Sequence, residues 1–95
     1  MPAKLSNKEV RRYLRLVEKW KLKGKTIERD YRFRNFVQAM KFVNNVARLA
    51  EKLEHHPDIL VYRWNHVKIS IYTHSIGGLS ESDFVLATKI NKLKH

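Results

Sequence analysis

Residues 51–57 read Glu51-Lys-Leu-Glu-His55-His56-Pro57, and they mark the place where a helical sequence pattern gives way to strands. Proline restricts the residue before it to extended geometry, so the preceding helix is expected to end near His55. Two adjacent imidazoles therefore lie at an element end, where side chains of several elements can converge. Because histidine changes charge near neutral pH, this arrangement suits proton transfer, with metal binding as the competing interpretation.

The residues upstream of this stretch predict a long helix preceded by a strand. Asn35 can cap a helix that runs from Phe36 to Glu54 with a wide apolar face. Before it, Ile27–Phe33 alternates apolar and polar residues, which is typical of a strand with one buried face. This part of the chain therefore supplies one strand and one helix to a common core.

The N-terminal part predicts a first helix and a short additional strand. Ser6 and Glu9 fit a capping box, and apolar residues follow at helical spacing up to Val17. A short apolar segment around Trp20 and Leu22 comes next, ahead of a turn. We interpret this segment as the first strand.

The residues downstream predict a hairpin and a last helix. Ile59–Trp64 and Val67–Thr73 read as strands, with Asn65-His66 as the tight turn between them. Ser80 and Asp83 form a second capping box, which begins the last helix.

These elements define the predicted fold class. Their order is α-β-β-α-β-β-α, and this favours an α+β domain in which three helices pack on one face of a four-stranded antiparallel sheet. With 95 residues, the chain is expected to form one domain over residues 1–95.

Composition narrows the functional classes. No apolar run approaches the roughly 20 residues that span a bilayer, and the start has no apolar signal core, so we expect a cytoplasmic protein without membrane association. The absence of cysteine excludes disulfides and thiolate chemistry. The formal net charge of +11 raises nucleic acid as a partner, but the cations form no single tail and accompany no zinc-finger or RNA-binding motif. Nucleic acid is therefore the less favoured partner.

The candidate site residues lie at element ends. Glu51 precedes His55 by four residues, a spacing at which a helical carboxylate can hold an imidazole. His74 follows a strand, and Asp83 lies in the first turn of the last helix. A zinc site is disfavoured because adjacent histidines rarely chelate one ion and no cysteine or His-x-x-x-His partner exists.

Each of these residues also has a purely structural explanation. Histidines at a helix C-terminus are stabilised by the helix dipole. A carboxylate in a capping box needs no further role, and aromatic residues such as Trp64 are commonly packing residues in strands. Only the combination of these groups favours a functional site.

The combination resembles the pterin-4a-carbinolamine dehydratase family. The shared signature is Glu51-x-x-x-His55-His56-Pro57, followed by Trp64, His74 and Asp83. Similarity extends over roughly residues 18 to 92, and it includes Ile27–Phe33 and the alanine and phenylalanine spacing of the long helix.

The resemblance implies a metal-free and cofactor-free hydro-lyase. Members remove water from a 4a-hydroxytetrahydropterin, which gives a quinonoid dihydropterin during tetrahydropterin recycling. By position, His55, His56 and His74 are the implied catalytic histidines, and the implied substrate-binding residues are Glu51, Pro57, Trp64 and Asp83. The resemblance also implies a homodimer or homotetramer.

Two departures from the family pattern affect the expected pocket rim. Ile59 replaces an aromatic residue, and the segment from Pro57 to Trp64 takes the longer of the family's spacings. The alternative to an enzyme is a module on the same fold that serves dimerisation or nucleic-acid binding without catalysis. The sequence leaves open which pterin is used, the size of the oligomer and the division of acid and base roles among the histidines.

Overall fold

The computed structural model describes residues 3–95 and contains three helices and a four-stranded antiparallel sheet. The elements follow the predicted order and confirm the α+β class. Their bounds are α1 Asn7–Leu14, β1 Lys21–Lys23, β2 Thr26–Arg32, α2 Phe36–Leu53, β3 Asp58–Tyr62, β4 His66–Ile71 and α3 Glu81–Asn91.

The sheet has the strand order β1-β2-β4-β3, so β1 and β3 form its two edges. Inward-facing residues of the central strands, including Ile27, Val67, Ile69 and Ile71, are buried. The helices cover this face with buried residues from α2 and α3, such as Phe42 and Leu86 in the common core. The opposite face of β4 is only half-buried.

Side-chain caps begin all three helices where the sequence predicts them. The Ser6–Glu9 capping box begins α1, and the Asn35 side chain accepts a hydrogen bond from the backbone N–H of Gln38 at the start of α2. Ser80 and Asp83 form the capping box of α3. These caps are local, and this explains why the sequence pattern located them.

The long helix ends for a reason other than the proline. Leu53 is its last residue, and Glu54 adopts the left-handed conformation with φ 52°. The backbone N–H of His55 then donates to the carbonyl of Ala50 at 3.1 Å, as in a Schellman-type ending. The chain has already left the helix before Pro57 restricts it.

The hairpin between β3 and β4 also differs from the prediction. The predicted turn at Asn65-His66 is wrong, because the turn occupies 63–65 and β4 begins at His66. Arg63 and Trp64 have positive φ angles, while Asn65 is buried and its amide donates to the carbonyl of Phe33 at 2.9 Å. The asparagine that suggested the turn instead ties the hairpin to β2.

Candidate active site

A buried carboxylate organises the candidate site. Asp83 lies at the third position of α3 and has no solvent exposure. Its Oδ2 accepts hydrogen bonds from the backbone N–H of Ser80 at 2.8 Å and from the Thr73 hydroxyl at 2.7 Å. These donors satisfy an ionised carboxylate that would otherwise be costly to bury.

The other carboxylate oxygen of Asp83 holds His55. The Nε2 atom of His55 lies 2.5 Å from Asp83 Oδ1, and the His55 side chain is 17% exposed. Since an ionised carboxylate only accepts hydrogen bonds, Nε2 must donate. The neutral imidazole therefore keeps its lone pair on Nδ1, the nitrogen that remains available to take up a proton.

A tight turn brings the hydroxyl groups to this carboxylate. Thr73 and Gly78 form an isolated bridge, and Gly77 closes the loop in a left-handed conformation with φ 63°. This places the Ser80 hydroxyl 2.9 Å from the Thr73 hydroxyl. Because Thr73 donates its single proton to Asp83, Ser80 donates to Thr73, and the three residues form a directed chain.

His74 lies immediately after Thr73, so the same turn carries it. The predicted strand reached Thr73, whereas β4 ends at Ile71 and His74 begins a short 3-10 turn that ends at Ile76. His74 is exposed, and its ring packs edge-on against Tyr72 with centroids 4.7 Å apart. The structure thus brings His55, Asp83 and the Thr73–His74 segment together.

Glu51 and His56 form a second, exposed pair. The sequence predicted that Glu51 would hold His55, and this is wrong: Glu51 Oε2 contacts His56 Nε2. The left-handed Glu54 rotates the following residues, so His55 faces Asp83 and His56 faces back toward the helix. Pro57 follows, half-buried, and leads directly into β3.

Trp64 is the predicted site residue that the chain does not bring to this cluster. It lies in the turn beyond Tyr62, whereas Asp58, at the other end of β3, adjoins the histidines. Its side chain is 66% exposed. Nearby, a hydrogen bond of 2.8 Å to Asp30 raises the pKa of Tyr62.

The predicted capping box paired Ser80 with Asp83, but nothing in the sequence identified Thr73 as a further partner of this carboxylate. Thr73 and Ser80 are buried hydroxyl residues on either side of the Gly77-Gly78 turn. The available signal was a pair of small polar residues on either side of a glycine turn, one of them next to a histidine. No group of three or more His, Asp or Glu side chains in residues 3–95 is arranged to hold a metal ion.

Comparison with known proteins gives a consistent assignment. The sequence model of the family described as pterin 4 alpha carbinolamine dehydratase matches residues 3–93. A relative in Alkaliphilus metalliredigens that bears this enzyme name is 48% identical, over 93% of this chain and 80% of its own length. A relative of the same name in Sulfolobus acidocaldarius is 38% identical, over 96% of this chain and 99% of its own length.

Solved structures agree with the fold. A crystal structure of a transcriptional coactivator/pterin dehydratase from Brucella melitensis has a TM-score of 0.86 and 34% identity, and the match covers 94% of this chain and 96% of that one. A pterin dehydratase-like protein described as a RuBisCO assembly factor in the alpha-carboxysome has a TM-score of 0.64 at 22% identity, which supports the fold alone. Within residues 3–95, the structure has no helix of the length and apolarity needed to cross a membrane.

Proposed function

Since the chain belongs to the pterin 4 alpha carbinolamine dehydratase family, we propose that it removes water from a 4a-hydroxytetrahydropterin to give the quinonoid dihydropterin. The observation that carries this proposal is the His55–Asp83 pair, which is fixed by Thr73, the residue that precedes His74. The pair supplies an oriented imidazole, and the Thr73 contact ties the segment that carries the second imidazole to it.

The proposed reaction needs one acid and one base. The C4a–O bond breaks and the hydroxyl group takes a proton to leave as water. The proton on N5 passes to a base, and the electron pair it leaves forms the C4a=N5 double bond. Histidine can serve in either role at neutral pH, and positioned proton transfer contributes about 10² to 10⁴ in rate.

We assign this proton exchange to His55 and His74. Asp83 holds the His55 ring through Nε2 and stabilises the imidazolium that forms when Nδ1 takes up a proton. His56, oriented by Glu51 at the exposed rim, is assigned to pterin binding. These groups supply both proton transfers, so the proposed mechanism uses no metal or cofactor.

The test follows loss of a synthetic 4a-hydroxytetrahydropterin by ultraviolet absorbance, against buffer because this adduct also loses water unaided. We expect the protein to accelerate the decay, and His55→Ala and His74→Ala to lose most of the acceleration while keeping the circular dichroism of the native fold. His95→Ala is the matched control, since that histidine lies outside the candidate site. Equal decay in all samples would refute dehydratase activity, and unchanged rates in EDTA would support metal independence.

Trp64 joins this site only through a second copy of the chain. β3 is an edge strand with Leu60 53% exposed, and such an edge can pair with another strand. If Leu60 pairs with Leu60 of a second copy in antiparallel register, position 57 of one copy faces position 63 of the other. Trp64 of one copy would then lie next to Pro57 of the other, within reach of the pterin.

This arrangement makes the proposed homo-oligomer part of the substrate site. Gel filtration with light scattering should show a smaller species for Leu60→Glu than for the wild type. Leu60→Glu and Trp64→Ala should each raise the KM for the pterin. A Leu60→Glu variant with unchanged molar mass would refute pairing through β3.

A further inference from the structure

The excess positive charge is not neutralised within the chain. The ion pairs formed by residues 3–95 involve His55 and His56, and none involves a lysine or arginine. Twenty cationic side chains against nine carboxylates therefore leave the net charge of +11 available to a partner. The question is whether this charge is diffuse or concentrated at one surface.

One surface groups several of these cations with no Asp or Glu side chain among them. Two adjoining depressions of about 350 and 250 Å³ share Gln38 and His95 as lining residues, and we call them together the α2 groove. Their lining includes four cationic side chains and no Asp or Glu: Arg32, Arg34, Lys41 and Lys94. Asn45 also lines the groove, and its amide oxygen accepts a hydrogen bond of 2.5 Å from exposed Arg48. Arg48 thus extends the cationic row along α2.

A cluster of aromatic rings forms the floor of the groove. The His95 ring packs edge-on against Tyr31, Phe33 and Phe42, with centroid distances of 5.3 to 5.7 Å. Burial and the positive charges of Arg29 and Lys19 lower the pKa of His95. The aromatic residues of the floor are buried, so the groove presents cations and amides rather than an apolar anchor.

We propose that the α2 groove binds the phosphate backbone of nucleic acid. Gln38, Lys41, Asn45 and Arg48 are three or four residues apart and so lie on one side of the helix. From Gln38 to Arg48 the row is about 15 Å long at 1.5 Å per residue, so it can contact successive phosphates of one strand. The two amides supply additional polar contacts to phosphate or sugar.

Other occupants fit this surface less well. A second copy of the chain would bring two cationic rows together, which is repulsive. An acidic protein would also complement the charge, and Phe36 and Val37 beside the groove are exposed. The apolar residues that line the groove itself are buried, however, and so offer no anchor of the kind that protein interfaces usually add. The proposal is independent of catalysis, because the groove lies toward the start of α2 and the histidines follow its end.

The proposal predicts how steeply the affinity for nucleic acid falls with salt concentration. Five cations contacting a single strand predict a slope of log Kobs against log salt of about −3.5, at about 0.7 per contact. We would measure this slope by fluorescence anisotropy with labelled dT12, between 50 and 300 mM salt. Binding without sequence preference and with Kd near the micromolar range is expected.

Two triple variants separate the groove from general charge. The groove variant carries Arg34→Gln, Lys41→Gln and Arg48→Gln. The control carries Lys8→Gln, Lys23→Gln and Lys25→Gln, all exposed and distant in the fold, so both variants have the same net charge. The groove variant should bind at least tenfold more weakly with a slope smaller by about 2, while the control keeps the wild-type slope.

Three outcomes would overturn the proposal. Equal weakening of the two variants would show that the charge acts diffusely, and absence of binding at 50 mM salt would exclude a nucleic-acid site. If polyglutamate displaces labelled dT12 as well as unlabelled dT12 does at the same concentration of negative charge, the partner would be an acidic protein. Pterin dehydration measured in the groove variant should be unchanged, and this result distinguishes failure here from failure of the proposed activity.

Discussion

Replacing Asp83 with asparagine tests whether this carboxylate only caps a helix or also orients the catalytic imidazole. Asparagine has the same shape but one oxygen and one amide nitrogen. The oxygen must occupy the Oδ2 position, because the Ser80 N–H and the Thr73 hydroxyl both donate there. The amide nitrogen then faces His55 Nε2, where two donors would oppose each other. His55 can relieve this only by moving its proton to Nδ1.

The expected magnitudes follow from these contacts. Hydrogen bonds to a charged group contribute about 1.5–3 kcal/mol and neutral ones about 0.5–1.5, so each of the three contacts of Asp83 loses about 1 kcal/mol and Asp83→Asn should destabilise the fold by about 3 kcal/mol in total. For a domain of this size that corresponds to a fall in Tm of about 12–24 °C. Turnover should fall further, by about 10² to 10⁴, because Nδ1 no longer accepts a proton.

Two measurements on one sample separate these effects. Nitrogen-15 chemical shifts of the His55 ring, recorded where the ring is neutral, should report protonated Nε2 in the wild type and protonated Nδ1 in Asp83→Asn. Turnover is measured in the pterin assay below the lowered Tm. Glu81→Gln is the matched control, since it makes the same chemical change at an exposed residue in the first turn of the same helix. Its amide oxygen can still accept the hydrogen bond from the Tyr13 hydroxyl, so the cost should not exceed about 1 kcal/mol. An Asp83→Asn protein with the wild-type tautomer and full turnover would refute the orienting role and leave only the cap.

Three further predictions concern buried polar groups and the groove. Thr73→Val keeps the shape but removes the hydrogen bond to Asp83, so urea unfolding should show a loss of about 1.5–3 kcal/mol, and a loss under 0.5 would contradict the directed chain. Tyr31→Phe should stabilise the fold by about 1 kcal/mol or more, because the buried Tyr31 hydroxyl has no hydrogen-bond partner among residues 3–95. Burial raises the pKa of Tyr31 from 10 to about 12. The folded state therefore favours the neutral phenol. The stability that this preference contributes is fully present below pH 10 and is lost as the pH rises from 10 to 12. Tyr31→Phe has no phenol to ionise and should not show this loss. Proton NMR should find the pKa of His95 below 6.5, because the ring is partly buried and lies near Arg29 and Lys19, and a value above 6.5 in the free protein would contradict this placement of the ring.

Local signals explain how much of the fold the sequence predicted. Capping boxes depend on residues three apart, and alternation or helical spacing depends on one element at a time, so the element order followed directly. The errors arose where a residue's role depends on distant partners. Asn65 reads as a turn residue, but its amide donates to the carbonyl of Phe33, which directly follows β2.

The site shows the same division between local and distant information. The sequence placed His55, His74 and Asp83 at element ends, and the structure brings His55 and Asp83 together with the turn that carries His74. The sequence could not show that Glu51 contacts His56, because that contact depends on the left-handed conformation of the single residue Glu54. Nothing in a glutamate before two histidines predicts such a conformation, which non-glycine residues adopt uncommonly.

Helix α2 contributes to both proposed activities, but at different positions along its length. Its last turn leads into the imidazoles, and its earlier turns carry Lys41, Asn45 and Arg48 along the groove. The pterin ring needs oriented, partly buried donors and acceptors, whereas a phosphate backbone needs solvated cations that tolerate many positions. Because the first depends on the Thr73–Asp83–His55 contacts and the second on charge alone, salt should weaken nucleic-acid binding steeply and leave the intrinsic rate of dehydration nearly constant. A dehydration rate that fell in parallel with dT12 binding across the same salt series would show that the two surfaces are coupled through the helix.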